Sequence, residues 1–172
     1  MELSDLLTTE EWIRFEKEFS DRYHLNCTVY NTAGISITGR QNWCNRLCPE
    51  IKANKEALAA ICAPGNQNFM AQARQTKTAV VDECDAGLLK IAVPIFVGDE
   101  FLGTAGGCGL LLEGGEVETF LVNKTTGLDE DEIAELCKDL DPITEAEARK
   151  AASVIESRLA EIIQEASFPS KY

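Results

Sequence analysis

The sequence predicts an α+β domain, with an antiparallel sheet, helices on one face of that sheet and a long C-terminal helix. Two apolar segments, 88–97 and 100–112, flank Gly98-Asp99, a dipeptide typical of a two-residue hairpin turn. Helical periodicity appears near both ends of the chain. With 45% hydrophobic residues among 172, the chain can bury a substantial core.

The first helix is predicted to begin at a capping box, in which the side chains of Thr8 and Glu11 each bond an exposed backbone N–H. Aromatic residues then recur at helical spacing, so one face of this helix is expected to lie in the core. These residues are Trp12, Phe15, Phe19 and Tyr23. Two short strands follow, on either side of a turn at residues 31–34.

The middle of the chain is predicted to be helical over 43–54 and 55–62. A break is expected at residues 63–65, Ala-Pro-Gly, before a further helix from about 66 to 75. A strand over 78–82 then leads into the hairpin.

The returning strand of the hairpin is rich in small residues, which favours a close approach of a ligand to its backbone. The small residues are Gly103, Ala105, Gly106, Gly107 and Gly109. A bulge or a packed helix would explain the same composition equally well. In a regular hairpin, Cys108 would lie opposite Leu89.

The end of the chain is predicted to hold a short acidic helix from Asp129 to about 139. A last helix is predicted to start at Thr144, which forms a second capping box with Glu147. Apolar residues in the last helix are spaced alternately four and three positions apart in the sequence. They are Ala148, Ala152, Ile155, Leu159, Ile162 and Ala166. This pattern fits a coiled-coil homodimer or a helix that lies on its own domain. The predicted division is a globular domain over 1–140 and a connector helix over 141–172.

Seven cysteines are many for a chain of this length, and the start of the sequence has no secretory signal. A cytoplasmic, reducing location is therefore expected, in which structural disulfides are rare. Five of the cysteines fall between residues 43 and 110, in a helical segment and the strands after it. The candidate metal ligands are Cys44, Cys48, Cys62, Cys84 and Cys108. Four thiolates could bind zinc or an iron–sulfur cluster, whereas haem is a weaker candidate; buried or redox-active thiols remain the alternative.

The net charge of −13 argues against nucleic acids as partners, because binding a polyanion requires basic surfaces. It argues equally against anionic membrane surfaces, and no apolar segment of the sequence reaches the length of a membrane-spanning helix.

Several short motifs resemble known sensor domains. Residues 29–37 are similar to the first hairpin of PAS-type domains. The segments 47–51, 84–88 and 92–95, with Cys62 between the first two, are similar to the PocR sensory domain, which is regarded as a PAS variant. The resemblance covers about residues 6–115, and some members of that family are linked to glycerol and propanediol metabolism.

The resemblance implies a PAS-like fold and a sensory role, with an output module, a kinase or a transcription regulator, that is missing from this chain. It matches Cys48, Cys62 and Cys84 to cysteines usual in the family. Cys44 and Cys108 are particular to this sequence, and each is a candidate fourth ligand. Asp85 stands where the family commonly has histidine, and Cys108 where it commonly has glutamine.

The predicted function is that of a non-catalytic input domain, which binds a small ligand or a cysteine-ligated metal and relays its state through the C-terminal helix. Trp43, Gly106 and Cys108 are the candidate ligand-binding residues. The alternatives are a thiol-based redox enzyme and a structural zinc module for protein contacts. A single histidine and the absence of a Cys-x-x-Cys pair weigh against the enzyme.

Overall fold

A computed structural model describes residues 1–167, so the end of the predicted connector helix, 168–172, lies outside the described residues. The α+β class and the antiparallel sheet are confirmed. The main sheet has four antiparallel strands in the order β1-β4-β3-β2. These strands are β1 Asn26–Asn31, β2 Val80–Glu83, β3 Leu89–Val97 and β4 Glu100–Cys108. Two short parallel strands, β5 Leu111–Leu112 and β6 Pro142–Ile143, lie outside it.

The helices divide between the two faces of the sheet, whereas the sequence predicted them on one face. They are α1 Thr9–Tyr23, α2 Leu47–Ala53, α3 Lys55–Ala57, α4 Ala63–Thr76, α5 Thr119–Thr126, α6 Glu130–Leu136 and α7 Glu145–Ser167, with a 3-10 turn at Leu3–Asp5. The helices α1 and α7 share the main core with one face of the sheet. The helix α4 packs on the other face, where Phe69 and Ala73 contact Val80 and Ala92. No helix of the described residues is long and apolar enough to cross a membrane.

Three of the helices begin at capping boxes. Thr8 caps α1 together with Glu11, as the sequence predicts. At α7 the backbone N–H of Glu147 donates to Oγ1 of Thr144 (3.0 Å), and that of Thr144 donates to Oε2 of Glu147 (2.9 Å). Asp129 and Glu132 form the corresponding pair of hydrogen bonds at the start of α6. Such boxes satisfy N–H groups that would otherwise lack partners, which fixes the helix starts locally.

The predicted helix break at residues 63–65 is wrong. The chain passes from α3 through a π-helical turn, Leu58–Cys62, directly into α4. Pro64 lies in the first turn of α4, directly after the π-helical turn, and because it has no backbone N–H it donates no hydrogen bond to the carbonyls of that turn. Cys62 is thereby placed at a π-helical turn, a feature frequent at functional sites.

The second predicted strand after residues 31–34 is also wrong, since it is reduced to one bridge between Ser36 and Tyr30. The predicted returning strand over 100–112 ends early, at Cys108. Gly109 there has φ +103°, a conformation that turns the chain away from the sheet before β5.

The predicted pairing of Cys108 with Leu89 is wrong by one residue. A bulge lies between Ile95 and Phe96, and beyond it Cys108 pairs with Lys90. A shift of one residue exchanges the faces of all later side chains relative to the partner strand. The bulge therefore brings Lys90 and Cys108 to the same face of the sheet.

The apolar stripe of α7 lies on its own domain. Its members Ala148, Ala152, Ile155, Leu159 and Ile162 are buried in the main core. The interpretation as a helix on its own domain accounts for the stripe, which is not exposed to a partner. The homodimer stays a prediction, and it would have to form through a surface other than this apolar stripe.

Candidate functional site

A cavity lies between the sheet and the helical segment from α2 to α4. One of its walls is apolar and includes Ile51, Ile61 and Leu88. The centres of water-sized groups can occupy about 40 Å³ of this cavity. A smaller cavity of about 10 Å³ adjoins it and shares Tyr30, Asn66 and Lys90 with it. The structure thus has an enclosed site of the size of a very small molecule.

Four of the five candidate metal ligands line this cavity. Cys48 comes from α2, Cys62 from the π-helical turn, Cys84 from the loop after β2 and Cys108 from the end of β4. Cys27 and Cys137 lie elsewhere, Cys27 in the main core and Cys137 at the end of α6. The fold therefore gathers thiols that are up to 60 residues apart in the sequence, since Cys48 and Cys108 meet at one cavity.

Cys44 is not among the cavity residues and faces a separate surface pocket beside His24 and Asp141. Its thiol donates to the backbone carbonyl of Cys108 at 3.4 Å.

Asn45, the neighbour of Cys44, ties this loop to the end of β4. Its Nδ2 donates to the carbonyl of Gly109 at 2.7 Å and to Sγ of Cys48 at 3.3 Å. A Cβ at Gly109 would lie only 2.6 Å from Sγ of Cys44, so glycine is required for this packing.

Burial keeps the thiols of Cys44, Cys48, Cys62 and Cys84 protonated near neutral pH. It raises the pKa of Cys44 and of Cys62 to about 11. The pKa of Cys48 and that of Cys84 are raised too, mainly because a thiolate would lose its hydration there. In residues 1–167 no three side chains of His, Cys, Asp or Glu lie close enough together to hold a metal ion. A metal at this site would need the thiols to deprotonate and to move together.

A row of paired residues crosses the sheet beneath the cavity. Asn26, Cys108, Lys90 and Asp82 are direct partners on successive strands, so their side chains share one face. Lys90 is only 9% exposed. Its Nζ lies 5.8 Å from the ring centres of both Tyr30 and Phe69. A buried cation thus stands at the floor of the cavity.

The other polar groups of the cavity are neutral apart from Lys52. The amides of Asn26 and Asn66 and the phenol of Tyr30 line it together with Lys90. Burial raises the pKa of Tyr30, which keeps its phenol protonated and able to donate a hydrogen bond. Lys52 is bonded to Oε1 of Gln41 (3.3 Å) and lies over the Trp43 ring.

The three predicted ligand-binding residues all lie at these cavities. Trp43 and Cys108 line the larger cavity, and Gly106 and Cys108 line the smaller one. Trp43 is 41% exposed and stands at the edge. Strand packing also explains why residue 106 is a glycine, because a Cβ there would lie 1.8 Å from the carbonyl oxygen of Ile91 in the next strand.

Sequence reasoning missed Lys90, Tyr30 and Asn66. A sign was available for Lys90, which is the one charge in the apolar segment 88–97. Asn66 follows Cys62 by one helical turn, which places both on the same helix face. Nothing in the sequence marked Tyr30, because its side chain meets Lys90 only after two long-range strand pairings.

The comparison with protein families gives one match. A family model described as the sensory domain found in PocR matches residues 5–167, nearly the whole chain. No curated protein and no solved structure matches the chain.

Proposed function

This chain belongs to the family of the sensory domain found in PocR, and we propose that it is an input domain that binds a small molecule in the cavity between the sheet and α2–α4. The observation that carries the proposal is the enclosed cavity itself, in which an apolar wall faces a few convergent polar groups. An apolar wall with a few convergent polar groups is the usual lining of a small-molecule pocket. The sensory family favours a non-catalytic role.

Ligand binding would be relayed to α7 through β3. Alternate residues of this strand face opposite layers, with Lys90 at the cavity and Ile91 and Val93 in the core that includes α7. A ligand that binds more tightly to one position of β3 would shift the packing of α7 in proportion to that difference in affinity. The proposal includes an output module that responds to the changed packing of α7.

A cavity-filling variant tests the binding site. Gly65 is a buried α4 residue that lines the cavity, and a Cβ built there meets no atom within 4 Å. Gly65→Leu should place its side chain in this space, since the first atom of that side chain meets no neighbour. We expect two- to four-carbon carboxylates, amides and alcohols, screened by ligand-observed NMR, to include a binder of the wild type that Gly65→Leu does not bind.

Ala71→Leu is the matched control, because Ala71 is an exposed residue of the same helix. It should leave binding unchanged. Binding that survives Gly65→Leu, or a panel in which no compound binds, would contradict the proposed site.

A cysteine-ligated zinc or iron–sulfur centre is the second candidate, favoured by the four thiols around one cavity. It would make the domain a redox sensor if iron is bound, or a structural zinc module if zinc is bound. Against it stand the raised thiol pKa values and the spread of the side chains.

Metal analysis of protein purified without oxygen tests the second candidate. If a metal is bound, Cys62→Ser and Cys84→Ser should each abolish its retention, because each removes one ligand. Cys27→Ser and Cys137→Ser serve as controls and should retain it, since both residues lie away from the cavity. Protein free of zinc and iron, or equal loss in all four variants, would rule this centre out.

A further inference from the structure

The cavity has a charge that nothing near it neutralises. Lys90 is nine-tenths buried and lines both the larger and the smaller cavity. None of the eight ion pairs among residues 1–167 includes it. The lysine hydrogen bonds found there are donated by Lys17, Lys52 and Lys77. Within residues 1–167 Nζ of Lys90 is not among the fully buried polar atoms that lack a partner, so the ammonium keeps contact with the free space of the cavity, where an anion can pair with it.

Asp82 is the nearest candidate for a counter-ion, because it pairs directly with Lys90 across β2 and β3. Its side chain is exposed, however, and its Oδ1 accepts a hydrogen bond from the backbone N–H of Glu83 at 2.8 Å. No ion pair joins it to Lys90 in the described structure. The aromatic rings of Tyr30 and Phe69 stabilise the ammonium only in part.

The charge of the cavity is opposite to that of the protein. The chain has 29 acidic and 16 basic residues. Sixteen residues line the larger cavity, and in this set there are two lysines and no aspartate or glutamate. A positive, partly dry cavity in an acidic protein would concentrate small anions and exclude the cations that the surface attracts.

We propose that the ligand of this cavity is a small organic monocarboxylate, bound with its carboxylate at Lys90 and its alkyl group against Ile51, Ile61 and Leu88. The amide of Asn66 and the phenol of Tyr30 also line the cavity beside Lys90, whereas Nδ2 of Asn26 already donates to Oε1 of Gln41 at 3.1 Å. The free space of about 40 Å³ limits the ligand to a few non-hydrogen atoms. This inference rests on the proposed function and names the ligand class of the same site.

The test compares propionate with propionamide, which has nearly the same shape but no charge. Isothermal titration on the whole chain, with its metal content measured, should give a dissociation constant for propionate at least roughly tenfold below that for propionamide, because a hydrogen bond to a charged group is the stronger one. Lys90→Met should remove this preference. Lys150→Met, the same substitution at an exposed position on α7, should retain it.

Several outcomes would overturn the inference. Propionamide binding as tightly as propionate would exclude a carboxylate ligand while leaving the proposed ligand-binding role intact. Inorganic phosphate binding as tightly as propionate would exclude a specific organic acid. Unchanged propionate binding in Lys90→Met would exclude Lys90 as its partner. Because the comparison of the two ligands uses the wild type, it stands even if Lys90→Met fails to fold; binding of neither ligand would contradict the carboxylate site.

Discussion

Glu16 is a carboxylate with no exposed surface, on the face of α1 that packs against β1. Its Oε1 accepts a hydrogen bond from the backbone N–H of Val29 at 2.8 Å. Its Oε2 accepts one from Oγ1 of Thr38 at 2.7 Å. This one side chain therefore joins α1 to β1 and to the segment that follows it. Burial nevertheless raises its pKa, because the two hydrogen bonds and the distant Arg40 do not fully replace water.

The raised pKa of Glu16 predicts how stability depends on pH. The folded state binds this proton more tightly than the unfolded state, so the free energy of unfolding should fall as pH rises from the ordinary glutamate pKa, about 4.3, through the raised value. Glu16→Gln should remove this decline, since glutamine keeps an acceptor for Val29 and a donor for Thr38. Urea unfolding of both proteins between about pH 3 and pH 8 measures it.

Glu11→Gln provides a control with the opposite sign. The hydrogen bonds from Thr8 lower the pKa of Glu11, so its contribution to stability is lost as pH falls through that lowered value. Parallel pH profiles for wild type and Glu16→Gln would show that Glu16 is not protonated more readily in the folded protein.

At the scale of elements, two glycines of β4 pack against different kinds of atom, Gly106 against backbone and Gly107 against a side chain. A Cβ at Gly106 would lie 1.8 Å from the backbone oxygen of Ile91, so β3 and β4 would have to separate. A Cβ at Gly107 would lie 2.1 Å from Cδ1 of Leu25, the end of a side chain. A side chain can rotate, whereas the oxygen is fixed by strand pairing.

We therefore predict that Gly106→Ala lowers the free energy of unfolding by about 3 kcal/mol, and Gly107→Ala by about 1–2 kcal/mol. Denaturant unfolding of the two variants beside the wild type measures the difference. Equal losses would show that β3 yields as readily as the Leu25 side chain.

The elements also show which parts of this fold are predictable from sequence. The capping boxes at Thr8 and Thr144 were predicted correctly because their bonds join residues three apart. The turn at Gly98-Asp99 was correct for the same reason. The bulge between Ile95 and Phe96 was missed, since it depends on contacts with other strands and on Gly103, whose φ is +146°.

That one missed bulge explains much of what was missed at the candidate site. The metal prediction used cysteine number and position, and the fold does bring four of the five to one cavity. The partner of Cys108 could not be predicted, because the bulge shifts the pairing by one residue. Lys90 consequently went unrecognised beside Cys108, and with it the charge of the cavity.

At the scale of the whole molecule, the sheet separates a solid core from a cavity. One face, with α1 and α7, is filled by aromatic and branched side chains. The other face, under α2–α4, carries small and polar residues and encloses the free space. A change at the cavity can reach α7 through the shared sheet, where β3 is buried along most of its length. It can also reach the start of α7 through β5, which follows the cavity residue Gly109 and pairs with β6.

The position of α7 leads to the last prediction. Ile155 has no exposed surface and lies in the core of its own chain. Ile155→Ala should therefore lower the free energy of unfolding by about 2–5 kcal/mol, while Glu156→Ala, at an exposed neighbour, should change it by less than about 0.5 kcal/mol. Light scattering should show the same oligomeric state for both variants and the wild type. If Ile155→Ala instead converted a dimer to monomers without loss of stability, α7 would face a partner chain in solution and the relay would run between subunits.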